Sequence, residues 1–442
     1  MLQEHSIVHT ILRKYFRPLT VAVVASALLL VGHAAWAGDR GAVRLLKTIP
    51  IHGTQANTTN GKLYSFDISF VDQETQTYYL ADRSNVAVDV VDAQTGTFVK
   101  QIAGDFTGVA VVNGVVQGSQ SGPNGVVAAF PWLFVTDAAS RVVSIDLRTD
   151  LVVSSVSTGG TGNFRADELA YDPQDGLLLV INPNEPAPPT GVGPFGTLIT
   201  VNKENGQLTV GTRILFPFAT NGAEQPVWDP GTGQFYLSIP EINGNQTNLH
   251  GAVLRIASTG EVEAQYPIDF CGPAGLTRGP RQDLLVGCNT VFDTEGNVWN
   301  PAGDVTAAPK DVILDVQTGS TTDVPGAGAG DEVWFNAGDH TYYATGSGSP
   351  LRPTLSTAAQ GASVLAVIDA EDQTLKQLVP TFNVPAVGTG NTSTEHPAGT
   401  AHSVAANAAN NWVLVPLGAN NVFPDCLTGC IAVYGRSDND TD

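Results

Sequence analysis

The sequence has little charge and no helical pattern. Charged residues make up only 14% of the 442 positions, and there is a single methionine. After residue 37, no segment has helical apolar periodicity and none is apolar enough to span a membrane. Glycine and proline are abundant instead, at 47 and 27 residues. Together with the Val- and Thr-rich segments, these turn formers predict an all-β chain with many short strands.

Motifs that specify a reaction are also missing. The sequence has no HExxH, GxSxG, Walker or CxxCH motif, which argues against a zincin, an α/β-hydrolase, an NTPase or a c-type haem protein.

Basic charge is scarce: the formal net charge is −21, and because the first 37 residues carry +2, the remainder carries −23. Such a surface repels phosphate backbones, so no nucleic-acid partner is expected.

The first 37 residues have the pattern of a signal peptide. Arg13, Lys14 and Arg17 precede an apolar run at residues 19–31, and residues 35–37 (Ala-Trp-Ala) supply a small-x-small cleavage pattern. This predicts a secreted or periplasmic protein with no membrane attachment after cleavage. An uncleaved anchor is the alternative, because the basic region is longer than usual.

Four cysteines follow the signal segment, namely Cys271, Cys288, Cys426 and Cys430. An even count in an exported chain predicts two disulfides. We expect Cys271–Cys288 and Cys426–Cys430, since each pair then lies inside one repeat. A zinc site is the alternative, for which neither pair has the usual CxxC spacing.

An internal repeat runs through the chain. Residues 77–82 and 86–92 form a strand, a tight polar turn and a second strand that ends in Asp, and residues 132–146 repeat this pattern. The unit recurs at five later places, residues 168–182, 225–239, 275–287, 332–345 and 403–416. The spacing of roughly 45 to 70 residues is typical of four-stranded propeller blades with insertions.

The repeat leaves one outer strand missing at the end of the chain. Residues 43–51 have the outer-strand pattern and can pair with residues 431–434. We therefore predict a seven-bladed β-propeller of four-stranded blades over residues 38–435, closed into a ring by its N-terminal strand. Residues 436–442 are expected to be a disordered tail.

Five insertions interrupt the repeats, at residues 183–196, 241–251, 290–310, 346–362 and 419–430. Four of them follow the second strand of a blade, so we expect them to cluster on one rim of the ring. Long surface loops on a rigid scaffold are common binding sites. This rim is the predicted surface for a protein partner.

The units at residues 79–92 and 134–146 (Tyr-Leu-Ala-Asp and Phe-Val-Thr-Asp, each followed by a Val-rich strand) resemble YVTN-type propeller repeats of the lactonase-like and gluconolactonase-like group. The resemblance covers nearly the whole chain after the signal segment, through motifs of fold rather than of reaction. It implies a propeller whose relatives include metal-dependent lactonases and hydrolases, lyases, and secreted proteins without known activity. Gluconolactonase-like relatives hold a cation with one Glu, two Asn and one Asp at the channel mouth. Glu168, Asn124 and Asp67 are the nearest matches, while Glu332 and His402 depart from that pattern.

Residues just before each innermost strand are expected to face the central channel. In blade order, they are Asp67, Asn124, Glu168 (with Asp167), Gln225 (with Glu224), Glu332 (with Asp331) and His402. The fifth blade, near Ala274, has no polar residue at this position and is a blank in the series. Oxygen donors with one imidazole predict a divalent cation, either Ca²⁺ or a transition metal, held by Asp67, Asn124, Glu168, Glu332 and His402. The alternative is that these groups only satisfy strand ends and channel water.

The functional expectation is a metal-dependent hydrolase or lyase acting on a small ester, lactone or sugar-derived ligand in the channel. His402 is the expected general base, and Glu332 or Glu168 could take that role if burial raises its pKa. His402 could equally be a core histidine bonded to a neighbouring blade. The alternative function is a non-catalytic secreted binding or scaffold protein that uses the rim loops.

Overall fold

The computed structural model describes residues 41–186, 191–244, 250–299, 309–328, 330–346, 363–388 and 394–436. These residues form strands β1 to β30 and two short 3-10 helices, with no α-helix among them. The predicted signal peptide lies outside the described residues, as does the predicted tail except for Arg436. Within the described part of the chain, no helix is long and apolar enough to cross a membrane.

Seven antiparallel sets of four strands make up the fold, here called sheets 1 to 7 and given from the innermost strand outwards. Sheet 1 contains β2 (Ser69–Asp72), β3 (Thr77–Asp82), β4 (Ala87–Asp92) and β5 (Thr97–Ala103). Sheet 2 contains β8 (Val126–Ala129), β9 (Trp132–Asp137), β10 (Arg141–Asp146) and β11 (Leu151–Ser157). Sheet 3 contains β12 (Leu169–Asp172), β13 (Leu177–Asn182), β14 (Phe195–Val201) and β15 (Leu208–Leu215).

The remaining sheets follow the same plan. Sheet 4 contains β16 (Pro226–Asp229), β17 (Gln234–Ile239), β18 (His250–Ile256) and β19 (Val262–Asp269). Sheet 5 contains β20 (Cys271–Arg278), β21 (Asp283–Val291), β22 (Lys310–Asp315) and β23 (Thr321–Pro325). Sheet 6 contains β24 (Glu332–Asn336), β25 (Thr341–Thr345), β26 (Val364–Asp369) and β27 (Thr374–Pro380). Sheet 7 contains β28 (Ala405–Asn407), β29 (Trp412–Leu417), β30 (Cys430–Gly435) and β1 (Arg44–Pro50).

Few elements lie outside this plan. A hairpin of β6 (Val111–Val112) and β7 (Val115–Val116) follows sheet 1, and the 3-10 helices span Gly118–Gln120 and Pro280–Gln282. A single parallel bridge between His250 and Cys271 links sheets 4 and 5.

Strand burial explains the sequence pattern. The second strand of each sheet is almost wholly buried, as in β3, because it has neighbours on both edges and packed sheets on both faces. The outermost strands alternate between exposed and covered residues, as in β5 and β27. This difference is why the inner strands are continuous apolar runs and the outer ones show a period of two.

Aspartates at the strand ends shape the turns. The Oδ1 atom of Asp92 accepts the backbone N–H groups of Gln94 and Thr95, each at 2.9 Å. Asp172 does the same for Gln174 at 2.8 Å. These Asx turns replace the hydrogen bonds that the chain loses on reversing direction, which is why Asp recurs at the end of the repeat.

Strand β1 completes sheet 7, as residues 43–51 predict. It pairs antiparallel with β30, so that Arg44 lies opposite Gly435 and Pro50 opposite Cys430. Strand β30 ends at Gly435, and the Arg436 guanidinium beyond it pairs with Asp339.

Seven apolar clusters form the core, and each contains residues of two consecutive sheets. Tyr343 of sheet 6 packs in one cluster with Val415 of sheet 7. Leu414 of sheet 7 packs in another with Leu80 of sheet 1. Burial of these faces supplies most of the stabilising free energy.

Both predicted disulfides are present. Cys271–Cys288 joins β20 to β21, and Cys426–Cys430 joins the preceding loop to the first residue of β30.

Two tryptophans, Trp228 and Trp334, lie at equivalent inner-strand positions and pack against the core. Trp228 lies against Phe235, with ring centroids 4.7 Å apart, and Trp334 meets Phe70 edge-on at 5.5 Å.

Candidate functional site

The predicted channel residues all lie at the starts of innermost strands. Asp67 and Asn124 come two residues before β2 and β8, Glu168 and Gln225 come directly before β12 and β16, Glu332 opens β24, and His402 comes three residues before β28. Sequence periodicity was sufficient to find these positions.

Hydrogen bonds between neighbouring sheets bring these strand starts together. The Ile68 N–H donates to the Asn124 carbonyl (3.2 Å), and the Gly125 N–H donates to the Asp167 carbonyl (3.1 Å). The Thr345 hydroxyl donates to the His402 carbonyl at 2.8 Å, and the Ser403 hydroxyl donates to that of Ser69 at 2.9 Å. The candidate side chains therefore belong to one site.

Two arginines, which the sequence reasoning missed, lie inside this site. The Arg83 guanidinium donates to Asn124 Oδ1 from Nε at 2.9 Å and from Nη2 at 2.7 Å, and it pairs with Asp67 Oδ2. Arg165 lies 3.4 Å from Asp67 Oδ2 and 2.5 Å from Asp167 Oδ2. Guanidinium groups thus pair with the Asp67 carboxylate and donate to the Asn124 amide oxygen, two of the groups that were predicted to hold a cation.

His402 has partners on both ring nitrogens. Its Nε2 lies 3.3 Å from Asp67 Oδ1, and its Nδ1 lies 2.7 Å from Thr400 Oγ1 and 2.9 Å from the Thr400 carbonyl. The ring stacks on Phe66 at 5.1 Å. Burial alone would lower the pKa of His402, but Asp67 and Asp331 outweigh it and raise this pKa above its ordinary value. These contacts hold the ring in place, and the raised pKa means that the protonated form is more favoured than in an ordinary histidine.

The pKa of Asp67 is lowered by the same network. Burial would raise it, but the charges of Arg83 and Arg165 and the contact with His402 together prevail. Asp67 is therefore a carboxylate that contacts the guanidinium groups of Arg83 and Arg165 and the ring of His402.

Glu168 and Glu332 behave in the opposite way. They are 7% and 4% exposed, and burial raises the pKa of both carboxyls well above the usual range. Nearby negative charges add to this effect, chiefly that of Glu332 on Glu168 and that of Asp331 on Glu332. Both carboxyls are therefore harder to ionise than an ordinary glutamic acid.

Hydrogen bonding distinguishes these two acids. The side-chain amide of Gln225 donates to Glu332 Oε2 at 2.9 Å, which favours the ionised form of Glu332. The Glu168 carboxyl accepts no hydrogen bond from any residue in the described ranges. This hydrogen bond reduces the cost of ionising Glu332, whereas no such contact acts on Glu168.

Three further acids surround the pair. Burial, reinforced by the charges of Asp167 and Asp331, raises the pKa of Glu224 to about 8. Burial also raises the pKa of Asp167 to about 7, although Arg165 opposes it, and raises that of Asp331. The site thus has a cation-paired part around Asp67 and an acid-rich part around Glu168 and Glu332.

The predicted cation ligands do not fit a metal centre in this arrangement. Asp67 and Asn124 face guanidinium groups, and both His402 nitrogens have partners. Among the described residues, no three His, Cys, Asp or Glu side chains are placed to hold a metal ion. The cation itself stays a prediction.

Three of the predicted insertions contribute to one cavity beside this site. A space of about 830 Å³ is lined by residues 183–185, 192–194, 240, 241, 244, 289, 290 and 292, together with Glu224, residues 272–274 and most of residues 216–222. These segments all lie on the side where the innermost strands begin, which agrees with the predicted rim. The cavity itself was not predicted, because it depends on how three separated loops meet.

Comparisons with known proteins identify the fold. The chain matches no family model and no curated protein. Among 1515 chains of solved structures with a similar fold is Kuenenia stuttgartiensis hydrazine synthase, which aligns with a TM-score of 0.57 and 13% identity over 88% of this chain and 99% of that chain. At this identity the similarity shows the fold alone: the chain contains a β-propeller. So widely used a fold selects no function.

Proposed function

We propose that this chain is an exported, seven-bladed β-propeller of the YVTN and lactonase-like type, closed into a ring by β1. The pairing of β1 with β30 and the cluster shared by Leu80 and Leu414 support the closure. The two disulfides support an oxidising compartment. Deleting residues 38–50 should expose the edge of β30 and make the chain aggregate, as size-exclusion chromatography would detect.

At the channel mouth, the proposed activity is hydrolysis of a small ester, lactone or sugar-derived ligand by two glutamic acids. The observation that carries this proposal is the unequal environment of Glu168 and Glu332. Pairs of carboxyls with different environments are how enzymes obtain an acid and a base at one pH. Glu332, which Gln225 helps to ionise, is the base, and Glu168, without a hydrogen bond, is the acid.

The proposed step balances without a cofactor. Ionised Glu332 takes a proton from water as the oxygen attacks the carbonyl carbon, and Glu168 protonates the leaving oxygen as the C–O bond breaks. The products are an acid and an alcohol, or a hydroxy acid from a lactone. His402 and Asp67 belong to the cation-paired part of the site and have no proton-transfer role in this step.

A panel of chromogenic esters and lactones tests this proposal. We expect turnover by the native protein, and a loss of about 100-fold or more in Glu168→Gln and Glu332→Gln, in line with general acid–base catalysis. Glu261→Gln makes the same substitution at an exposed position and should leave the rate unchanged. Equal rates in all three variants would refute the assignment.

A second candidate function, a non-catalytic binding protein, is supported by the cavity that the rim insertions line. Ligand binding in the cavity together with no turnover across the panel would favour it.

A further inference from the structure

The ionisable side chains that line the cavity beside the channel are all acidic. Glu185, Glu224 and Glu241 line it, and no Lys, Arg or His is among its described lining residues. Glu185 and Glu241 are only 5% and 3% exposed. Buried carboxylates are costly unless a cation or hydrogen-bond donors compensate them, so a ligand that supplies positive charge is favoured here.

Two of these glutamates are fixed by neighbouring threonines. Glu185 accepts the Thr161 N–H at 2.9 Å and the Thr161 hydroxyl at 2.5 Å. Glu241 accepts the Thr220 hydroxyl at 2.5 Å. Both carboxylates are therefore held in place before any ligand arrives, which reduces the entropic cost of binding.

Glu224 differs from them, since its carboxyl accepts no hydrogen bond within the described part of the chain. The charged groups that act on it are Asp167, Asp331 and Asp67, which disfavour its ionisation, and Arg165, which favours it. An arriving cation would therefore find one carboxyl available for direct contact.

The rest of the lining suits the same ligand. Five prolines line the cavity, Pro183, Pro194, Pro217, Pro240 and Pro273. Proline has no N–H, so this backbone is poor in donors and keeps its acceptor carbonyls. Phe216 and Phe292 add aromatic rings, whose faces attract ammonium groups.

We propose that this cavity binds a small organic cation that carries one or more alkylammonium groups, with Glu224 as its direct contact. The volume of about 830 Å³ lies in the range of organic-ligand pockets and far exceeds the space of one ion. The proposal does not depend on hydrolysis at Glu168 and Glu332, and either can fail without the other.

Isothermal titration calorimetry with 1,4-diaminobutane, tetramethylammonium and the neutral 1,4-butanediol tests the proposal on the full chain. We expect both ammonium compounds to bind and the diol not to bind. Glu224 is largely protonated at pH 7, so diamine binding should release a proton, detected by repeating the titration in buffers of different ionisation enthalpy.

Two variants locate the site. Glu224→Gln should weaken diamine binding about 100-fold and abolish the proton release, whereas Glu261→Gln should change neither. Phe292→Ala should weaken tetramethylammonium binding more than diamine binding. Binding of the diol as tight as that of the diamine, no binding of either ammonium compound, or a Glu224→Gln variant with native affinity would each overturn the proposal.

Discussion

Gln225 of sheet 4 reaches past sheet 5 to Glu332 of sheet 6. Its side-chain Nε2 donates to Glu332 Oε2 at 2.9 Å, and its side-chain oxygen Oε1 accepts the Leu276 N–H at 2.6 Å. The contact is feasible because sheet 5 has only small or cyclic residues, 272–275, where the other sheets carry a polar side chain. The position near Ala274, where the repeat has no polar side chain, is therefore part of the site.

Removing this amide should raise the pKa of Glu332 further. Hydrogen bonds to charged groups contribute about 1.5–3 kcal/mol, which corresponds to about one to two pKa units. We expect Gln225→Ala to shift the Glu332 titration upwards by that amount, as measured by carbon NMR of labelled glutamates. Gln265→Ala, on an exposed outer strand, is the control. An unchanged titration would show that the hydrogen bond does not govern this acid.

Stability should fall as the pH rises from 5 to 8. Glu224, Asp167 and Asp311 have pKa values of about 8, 7 and 7, all above those of the unfolded chain. In that window the folded state holds more protons than the unfolded state, so each group lowers stability by up to about 1.4 kcal/mol per pH unit. The raised pKa of His402 acts in the same direction.

Urea denaturation at pH 5, 6, 7 and 8 measures this slope. Glu224→Gln should flatten it, because glutamine does not titrate, while Glu261→Gln should leave it unchanged. Stability that rises with pH across this window would contradict the assignment of buried neutral acids.

Arg83 should be essential to the fold of the site, because it is buried between Asp67 and Asn124. Breaking a buried pair from one side typically costs about 3–5 kcal/mol, since the partner charge is left uncompensated. We therefore expect Arg83→Met to destabilise strongly and the double variant Arg83→Met/Asp67→Asn to recover part of the loss. Arg148→Met, at a pair whose arginine is 53% exposed, should have little effect. Additive losses in the double variant would show that the two residues are not coupled.

Much of this architecture could be predicted from the sequence, because each strand repeats a local pattern that burial imposes. The pairing of β1 with β30 and the disulfides also follow from local pattern and position. Arg83 could not be found in this way, since it follows the second strand of sheet 1 and reaches the site only through its long side chain. A signal for Arg165 was available: it lies two residues before Asp167, and in extended chain such residues share a face.

The arginines also determine what we expect of metal content. Arg83 and Arg165 pair with Asp67, and Arg83 also donates to the Asn124 amide oxygen. We therefore expect the purified protein to contain well under one divalent ion per chain by elemental mass spectrometry. One tightly held ion that is lost in a Glu168→Ala/His402→Ala variant would restore the predicted cation site and contradict this expectation.

Gly275 should be required where sheet 5 approaches sheet 6. A Cβ atom on Gly275 would lie 2.7 Å from the Asp331 carbonyl oxygen and 3.1 Å from the Val333 nitrogen. Gly275 also lies where the pairing of β20 with β21 is irregular, so a shift there would displace the Leu276 N–H that holds Gln225. We expect Gly275→Ala to destabilise by about 1–3 kcal/mol, as overpacking does, and to raise the pKa of Glu332 as Gln225→Ala does. Gly118→Ala, where no atom lies within 4 Å of the added Cβ, is the matched control. A stable Gly275→Ala variant with a native Glu332 titration would show that the close approach of the two sheets does not position this acid.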